Sequence, residues 1–361
     1  MSEYIVSARK YRPQTFEEVI GQEAIVTTLE HALESNKLAQ ALLFCGPRGV
    51  GKTTCARILA RTINLTDETL EDDDFAFNIF ELDAASNNSV DDIRSLIDQV
   101  RFPPQVGQYK VFIIDEVHML SNQAFNAFLK TLEEPPKHVL FILATTEKHK
   151  IIPTILSRCQ IYDFKSISIP DIKKHLVHIA EKENVTYEDD ALHLIAQKAD
   201  GALRDALSMF DRLVTFGEGN LSLEGVSETL NVLDYDTYFS ITDACLENDI
   251  PQALNLLDKI LKKGYDGQLF ISGLGSHFRD LLVSQHQKTI DLLDVGENTK
   301  LKYSEQGKKC SPQFLMNSIE ICNHADIHYK ASKNQRLTIE IALMQISSLT
   351  HEDGNKKKSL K

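Results

Sequence analysis

The sequence predicts an α/β domain built on a parallel sheet, followed by two all-helical domains, and three observations carry that prediction. Between 41 and 165, short uninterrupted apolar runs alternate with helical stretches, the pattern of strands covered on both faces. The first of these runs opens into Gly46-Pro47-Arg48-Gly49-Val50-Gly51-Lys52-Thr53, a G-x-x-x-x-G-K-T phosphate loop set between strand and helix. After Pro170 no strand run recurs, and apolar residues fall at helical spacing instead.

The elements follow in order. Ala41-Leu42-Leu43-Phe44-Cys45 is a buried strand stopped by glycine, with a helix from 52 to about 64. Asn78-Ile79-Phe80-Glu81-Leu82 is a second strand, and 90–100 a helix with apolar residues at 93, 96, 97 and 100. Lys110-Val111-Phe112-Ile113-Ile114 is a third, followed by a helix over 122–133. Val139-Leu140-Phe141-Ile142-Leu143-Ala144 is a fourth and Cys159-Gln160-Ile161-Tyr162-Asp163-Phe164 a fifth. From 171 to 222 the segments are short helices with no strand. From 223 to 350 the chain is helical again: Leu274, Phe278, Leu281 and Leu282 form a buried stripe, and Leu337, Ile341 and Met344 a looser one. The expected boundaries are therefore 1–165, 166–222 and 223–350, with a basic, solvated tail over 351–361 that includes Lys356-Lys357-Lys358.

Composition bounds the function. The chain has 361 residues, 42% hydrophobic and 25% charged, which suits a globular protein of two or three domains. No run approaches the roughly eighteen apolar residues of a membrane span, and the N-terminus lacks a signal pattern. Six cysteines at 45, 55, 159, 245, 310 and 322 are too scattered for a disulfide scaffold or zinc knuckle and fit a reducing cytoplasm. The net charge of −13 by itself argues against nucleic acid, but it is unevenly spread. Residues 65–100, with the acidic run over 67–74, hold eleven acids and one base; 1–64 and 101–165 each hold eight bases against six acids. A local positive stripe can coexist with an acidic whole.

Two motifs carry chemistry on their residues alone. In the 46–53 loop, glycines let the backbone N–H groups of Gly46 and of Arg48 through Thr54 wrap a phosphate chain, with Pro47 shaping the turn between them, and the following helix N-terminus adds its dipole. Lys52 reaches the β- and γ-phosphates, and the Thr53 hydroxyl ligates magnesium. Val111-Phe112-Ile113-Ile114-Asp115-Glu116 is a buried strand ending in two carboxylates. Asp115 would hold magnesium through water, and Glu116 would orient the attacking water. Alone, such a pair could be a solvated strand end; beside a phosphate loop it points to ATP hydrolysis.

Asp115-Glu116-Val117-His118-Met119-Leu120, Thr131-Leu132-Glu133-Glu134-Pro135-Pro136, Leu143-Ala144-Thr145-Thr146 and Ile155-Leu156-Ser157-Arg158-Cys159 resemble the AAA+ clamp-loader ATPases. Within that group the chain is similar to the bacterial DNA polymerase III gamma/tau subunits, which Ala8-Arg9-Lys10-Tyr11-Arg12-Pro13-Gln14-Thr15-Phe16, Val19-Ile20-Gly21-Gln22-Glu23 and Gly201-Ala202-Leu203-Arg204-Asp205-Ala206-Leu207 also match. The match is specific over about 1–215; beyond 223 it rests on helical character and position.

The resemblance implies an AAA+ ATPase domain, a small helical lid and a helical collar for oligomerisation. It also implies roles that spacing could not give. Thr145 or Thr146 takes the place of sensor 1 at the γ-phosphate, and Arg204 that of sensor 2 on the lid. Tyr11, Arg12 and Pro13 lie near the adenine and ribose. Arg158 is the arginine finger, which serves a neighbour's ATP. Its place before the last strand sets it at the sheet edge, on the flank away from the 46–53 loop, so that it reaches a γ-phosphate only across a subunit interface. Without the resemblance, Arg158 is an ordinary surface ion-pair arginine and Thr145 a strand-end hydroxyl.

Two departures matter. The resembling subunits carry four zinc-binding cysteines after the phosphate-loop helix, whereas 62–80 here has none, so we expect no structural zinc; His118, His138 and His149 offer no obvious ligand set. The chain also stops soon after the third domain, so the long tail of the tau form is expected to be absent.

The implied activity is ATP-driven loading of a sliding clamp onto primer–template DNA within the polymerase holoenzyme. The implied partners are delta, delta-prime and further gamma/tau copies, with ATP and Mg²⁺ as ligands and DNA held through its phosphates. Asn87, Asn88, Ser89 and Arg94 at one helix start, and Ser121, Asn122 and Gln123 at another, are candidate phosphate contacts; Ser89 and Ser121 are equally good helix caps. Phe102-Pro103-Pro104 resembles a clamp-docking loop, or is a rigid turn. A hexameric branch-migration helicase is the alternative motor. A delta-prime-like scaffold is a third reading, against which the intact loop stands.

Overall fold

The computed structural model describes residues 5–64, 78–104, 107–230, 233–286, 288–293 and 295–358. Two compact units emerge: 1–179 with 195–212, and 180–194 with 213–361. The segment expected as a lid domain, 166–222, is thus shared between them.

The first unit begins with α1 (Ser7–Lys10) and α2 (Glu23–Glu34). Then come β1 (Ala41–Cys45), α3 (Lys52–Thr62), β2 (Ile79–Asp83), α4 (Val90–Val100), β3 (Lys110–Asp115), α5 (Asn122–Glu133), β4 (Val139–Thr145), α6 (Pro153–Leu156) and β5 (Gln160–Asp163). The five strands are all parallel in the order β2-β3-β4-β1-β5. β1 and β4 lie inside the sheet and are buried at every residue, whereas the edge strands β2 and β5 are only partly covered. That difference is why the inner strands are continuous apolar runs.

Alternate side chains of each strand point to opposite faces. Ala41, Leu43 and Cys45 join Phe112, Ile114, Phe141 and Leu143 under α4 and α5. Leu42 and Phe44 join Val111, Ile113, Leu140 and Ile142 under α2 and α3. Phe44, Phe112, Phe128 and Phe141 are wholly buried, each contributing about 1.5–3 kcal/mol of transfer free energy. This two-faced core fixes the sheet register, and the register decides what stands at the carboxyl ends of the strands.

Beyond β5 come α7 (Ile169–Lys182), β6 (Thr186–Tyr187), α8 (Asp189–Lys198), α9 (Leu203–Phe216) and β7 (Asn220–Leu221). β6 and β7 pair in parallel, correcting the expectation of no strand in 171–222. Two residues are too few to leave a hydrophobic period in the sequence.

The second unit continues with α10 (Leu223–Thr229), α11 (Tyr235–Leu246), α12 (Ile250–Lys262), α13 (Gly267–Ser284), α14 (Glu297–Gly307), α15 (Pro312–Tyr329) and α16 (Gln335–Lys358). α13 lies at its centre, packed against α14, α15 and α16, and buries Leu274, Phe278 and Leu281 as expected. The looser stripe is corrected. Leu337 and Ile341 are each 44% exposed, and α16 turns Ile339, Ala342, Leu343 and Ile346 inward instead. Both sets have helical spacing, so periodicity alone could not choose between adjacent faces. α16 also runs through 351–358, where an irregular tail was expected; the lone Gly354 costs a helix only about 1 kcal/mol. All six cysteines are free. Among the described residues, no helix is long and apolar enough to cross a membrane.

Candidate functional site

The site gathers at the carboxyl ends of β1, β3 and β4, where an open α/β sheet presents its loops. Gly46 leaves β1 at φ 147°, and a Cβ there would lie 2.4 Å from the Phe164 carbonyl oxygen. Gly51 caps α3 at φ 102° with no other atom close by, so backbone conformation alone demands glycine. The loop between them curls back on itself, and Lys52 Nζ donates to the carbonyls of Gly46 (2.8 Å) and Pro47 (2.7 Å). Lys52 is 6% exposed. Burial pushes its pKa down, opposed by the nearby Glu116 and Asp115 carboxylates.

Thr53 Oγ1 donates to Asp115 Oδ2 at 2.8 Å. The other carboxylate oxygen of Asp115 accepts the Glu116 N–H at 2.9 Å. Glu116 stands at φ 46°, ψ 46°, a left-handed conformation uncommon outside glycine, and this turns its side chain off the strand into the cleft. Its Oε2 accepts from the Thr146 N–H (3.2 Å) and hydroxyl (2.9 Å).

A hydroxyl and a carboxylate held together at the mouth of a phosphate loop form the hard oxygen donor set that suits magnesium. The glycine-framed loop supplies the backbone donors that suit a phosphate chain.

The cleft encloses about 530 Å³. Tyr11, Arg12, Arg48, Gly49, Val50, Gly51, Lys52, Thr53, Thr54, Asp115, Glu116 and Arg204 all line it, so residues from four distant stretches of sequence converge. Burial lowers the Arg12 pKa, and the neighbouring Arg57 and Arg204 lower it further. The backbone N–H of Arg204 donates to the Gly49 carbonyl at 3.3 Å, which fastens α9 to the loop.

Thr145 is not among the lining residues. It is fully buried, its hydroxyl 3.0 Å from His118 Nδ1 and accepting the Glu147 N–H. Of the two threonines, Thr146 is the one that touches Glu116. Sequence reasoning also missed Asp83, at the end of β2, and the apolar wall of Val19, Ile20, Ile167, Leu203 and Leu207. Asp83 follows a strand just as Asp115 does, and that was its available signal.

Arg158 sits elsewhere. β5 is adjacent to β1, which corrects the expected placement on the opposite flank. The separation runs along the strands instead: Gln160 pairs with Leu42, and the stretch from Leu42 to Cys45 alone puts roughly 10 Å between Arg158 and the loop. The Arg158 guanidinium pairs with Glu133 and donates to the Thr154 carbonyl at 2.6 Å.

The candidate phosphate contacts are structurally committed. Ser89 forms a capping box with Asp92, and Ser121 Oγ accepts from the Ala124 N–H. Arg94 pairs with Asp91 at 3.3 Å. The Ser121 N–H donates to the Asn88 carbonyl, so the two helix starts, with the exposed Asn122, do lie side by side. Phe102 is 66% exposed.

Among the described residues, no three histidine, cysteine or acidic side chains converge as a metal cluster. The acidic 67–74 run and most of the 62–80 stretch lie outside those residues.

Family models match three consecutive stretches. These are the DNA polymerase III delta subunit over 21–168, the ATPase lid domain of the DNA polymerase III clamp loader subunit over 171–219, and domain III of DNA polymerase III subunits gamma and tau over 221–358. The chain is 39% identical to the DNA polymerase III subunit tau of Bacillus subtilis over 360 residues, covering 96% of this chain and 64% of that protein. It is 42% identical to the Escherichia coli tau subunit over 293 residues, covering 78% and 46%. Against the gamma subunit of Buchnera aphidicola subsp. Baizongia pistaciae it is 36% identical over 372 residues, covering 96% and 97%. It thus spans less than two thirds of either tau relative and nearly all of the gamma relative. Among solved structures, the RuvB Holliday junction branch migration motor of Thermotoga maritima aligns with a TM-score of 0.50 at 23% identity, over 65% of this chain and 79% of that one, a likeness of fold alone.

Proposed function

This chain belongs to the DNA polymerase III gamma and tau subunit family, and from that membership we propose that it is an ATP-driven motor subunit of a clamp loader. The observation that supports this most is the Thr53–Asp115–Glu116 chain of contacts beside a glycine-framed loop. On this reading the loop amides and Lys52 bind the phosphates of ATP, and Tyr11, Arg12 and the apolar wall receive the nucleoside. Thr53 and Asp115 would hold magnesium. Bound there, the ion neutralises phosphate charge and fixes the γ-phosphoryl group for in-line attack. Glu116, held by Thr146, orients the attacking water. Arg204 fastens the lid over the loop and reads whether ATP is present.

Arg158 completes the reaction in a neighbouring subunit, because it cannot reach its own loop along the strand. Charge spread over the transferring oxygens is met by a planar guanidinium that stays protonated. In an assembled ring this couples each hydrolysis event to the next subunit along.

The domains divide as an AAA+ ATPase module over 1–165, a lid over 166–222 and an oligomerising collar over 223–350. The partners are homologous clamp-loader subunits, a sliding clamp and primer–template DNA gripped by its phosphates. ATP binding closes the assembly around clamp and DNA, and hydrolysis releases the loaded clamp. The branch-migration motor remains only as a fold likeness, and the domain III match over 221–358 favours the clamp-loader reading.

The direct test is transfer of labelled sliding clamp onto primed circular DNA by the chain with its partner subunits. ATP-dependent loading is expected. Junction unwinding without clamp transfer would overturn the proposal in favour of the alternative motor.

A further inference from the structure

A buried histidine joins the Glu116 carboxylate to a charged turn at the surface. His118 lies in the 3-10 turn Val117–Met119 that follows β3, with its side chain 6% exposed. Its Nδ1 stands 3.0 Å from the Thr145 hydroxyl and 3.3 Å from Glu116 Oε2. Its Nε2 stands 3.0 Å from Glu147 Oε2. The ring therefore spans two carboxylates, one facing the cleft and one facing out.

The surroundings hold the ring rigidly. Thr146 donates twice to Glu116, and His118 meets both the Thr145 hydroxyl and Glu147, so 145–147 and 116–118 are stitched at four points, while the Glu147 N–H donates to the Thr145 hydroxyl within its own turn. Glu147 is itself fixed by Lys150 Nζ at 2.7 Å.

Glu116 has freedom to lose. Its backbone is in the left-handed region, its side chain is 30% exposed, and a glutamate has three rotatable bonds. A carboxylate that orients water loses rate steeply with small displacements. Thr146 donates to Oε2, and His118 Nδ1 stands 3.3 Å from that same oxygen, so the two residues together confine it.

We infer that His118 is a positioning residue for the hydrolysis proposed above: anchored by Glu147 outside the cleft, it sets the orientation of Glu116 without touching substrate. The inference rests on Glu116 being the residue that orients water.

The test uses the full chain assembled with its partner subunits, sliding clamp and primed DNA. His118→Ala should lower kcat about 10- to 100-fold while KM for ATP stays within about twofold, since only the transition-state arrangement is disturbed. Glu147→Ala should lower kcat by a smaller factor, and Glu147→Gln, which keeps a polar side chain of the same length beside Nε2, should recover most of it. His118→Asn, which keeps a polar atom near the Nδ1 position, should fall between parent and alanine variant.

In a Glu116→Gln background, His118→Ala should cost nothing further. An unchanged kcat in His118→Ala overturns the inference, as does a full additional loss on top of Glu116→Gln. Should Glu116→Gln itself keep the parent rate, the reading of Glu116 falls first; should it lose hydrolysis while His118→Ala does not, only this inference falls.

Discussion

The hydroxyl of Thr53 donates to Oδ2 of Asp115 across 2.8 Å, joining residues 62 positions apart in the chain. Sheet order makes the contact possible: only β4 lies between β1, which launches the phosphate loop, and β3, which ends in Asp115. The strands align the two residues at one end of the sheet.

Lys52→Ala should abolish nucleotide binding without unfolding the chain. Lys52 is buried, but it packs on loop carbonyls and not in either apolar cluster. Equilibrium binding of a fluorescent ATP analogue, beside a thermal melt, checks this. Parent affinity in the variant would remove Lys52 from the site.

Glu116→Gln should bind ATP normally and hydrolyse it about 10²- to 10⁴-fold more slowly. The amide keeps the shape of the side chain and leaves Thr53 and Asp115 undisturbed. Loss of binding in this variant would mean that Glu116 serves the nucleotide rather than the water.

Acid should destabilise the helical unit through His277. That ring is 2% exposed, with Nδ1 2.9 Å from the Tyr303 hydroxyl and Nε2 3.3 Å from Gln306 Oε1. The Gln306 amide nitrogen donates to the Phe239 carbonyl, so its oxygen faces the ring and Nε2 carries the proton. Burial pushes the His277 pKa down to about 3. The unfolded chain, with its histidine near 6.5, therefore binds more protons between those values. The stabilisation is complete above about pH 6.5 and is lost as pH falls toward 3, by an amount on the order of 5 kcal/mol. Urea unfolding followed by circular dichroism at pH 7 and pH 4.5 measures it. The slope should flatten in His277→Leu even though that variant is less stable overall, and an equal slope in both proteins would assign the acid sensitivity to other groups.

Purified chain should carry no stoichiometric zinc, because 62–80 contains no cysteine and a tetrahedral thiolate site cannot form there. One zinc per chain that survives dialysis against chelator would show that distant ligands converge.

What the sequence disclosed divides along physical lines. Strands buried on both faces announce themselves, and β1, β3 and β4 lie where their apolar runs do, because the positions between their ends are covered on both sides and carry only apolar side chains. The phosphate loop and Asp115–Glu116 were legible because fixed chemistry demands fixed spacing. Choices between neighbours were not. Thr145 and Thr146 are the same residue type, and only the turn after β4 decides that one is buried and the other meets Glu116. Leu337 and Ile341 share their spacing with the residues that α16 does bury. The contacts of His118 join two segments almost thirty residues apart, 116–118 and 145–147, which no local pattern records. Ser89 and Ser121 were ambiguous by nature, since the donors that would hold a phosphate are the ones that a cap satisfies.

The inter-subunit step is the centre of this account, and one measurement bears on it most directly: ATP hydrolysis by the assembled complex, with and without sliding clamp and primed DNA, comparing parent chain with Arg158→Ala. The parent should be stimulated by clamp and DNA together. The variant should keep its affinity for ATP and lose the stimulated rate, toward the roughly 10³- to 10⁵-fold contribution of fingers acting in trans. Mixing Arg158→Ala with Lys52→Ala chains should restore part of the activity, one supplying the nucleotide site and the other the finger. A parent complex indifferent to clamp and DNA, or an isolated Arg158→Ala chain that binds ATP more weakly, would contradict it.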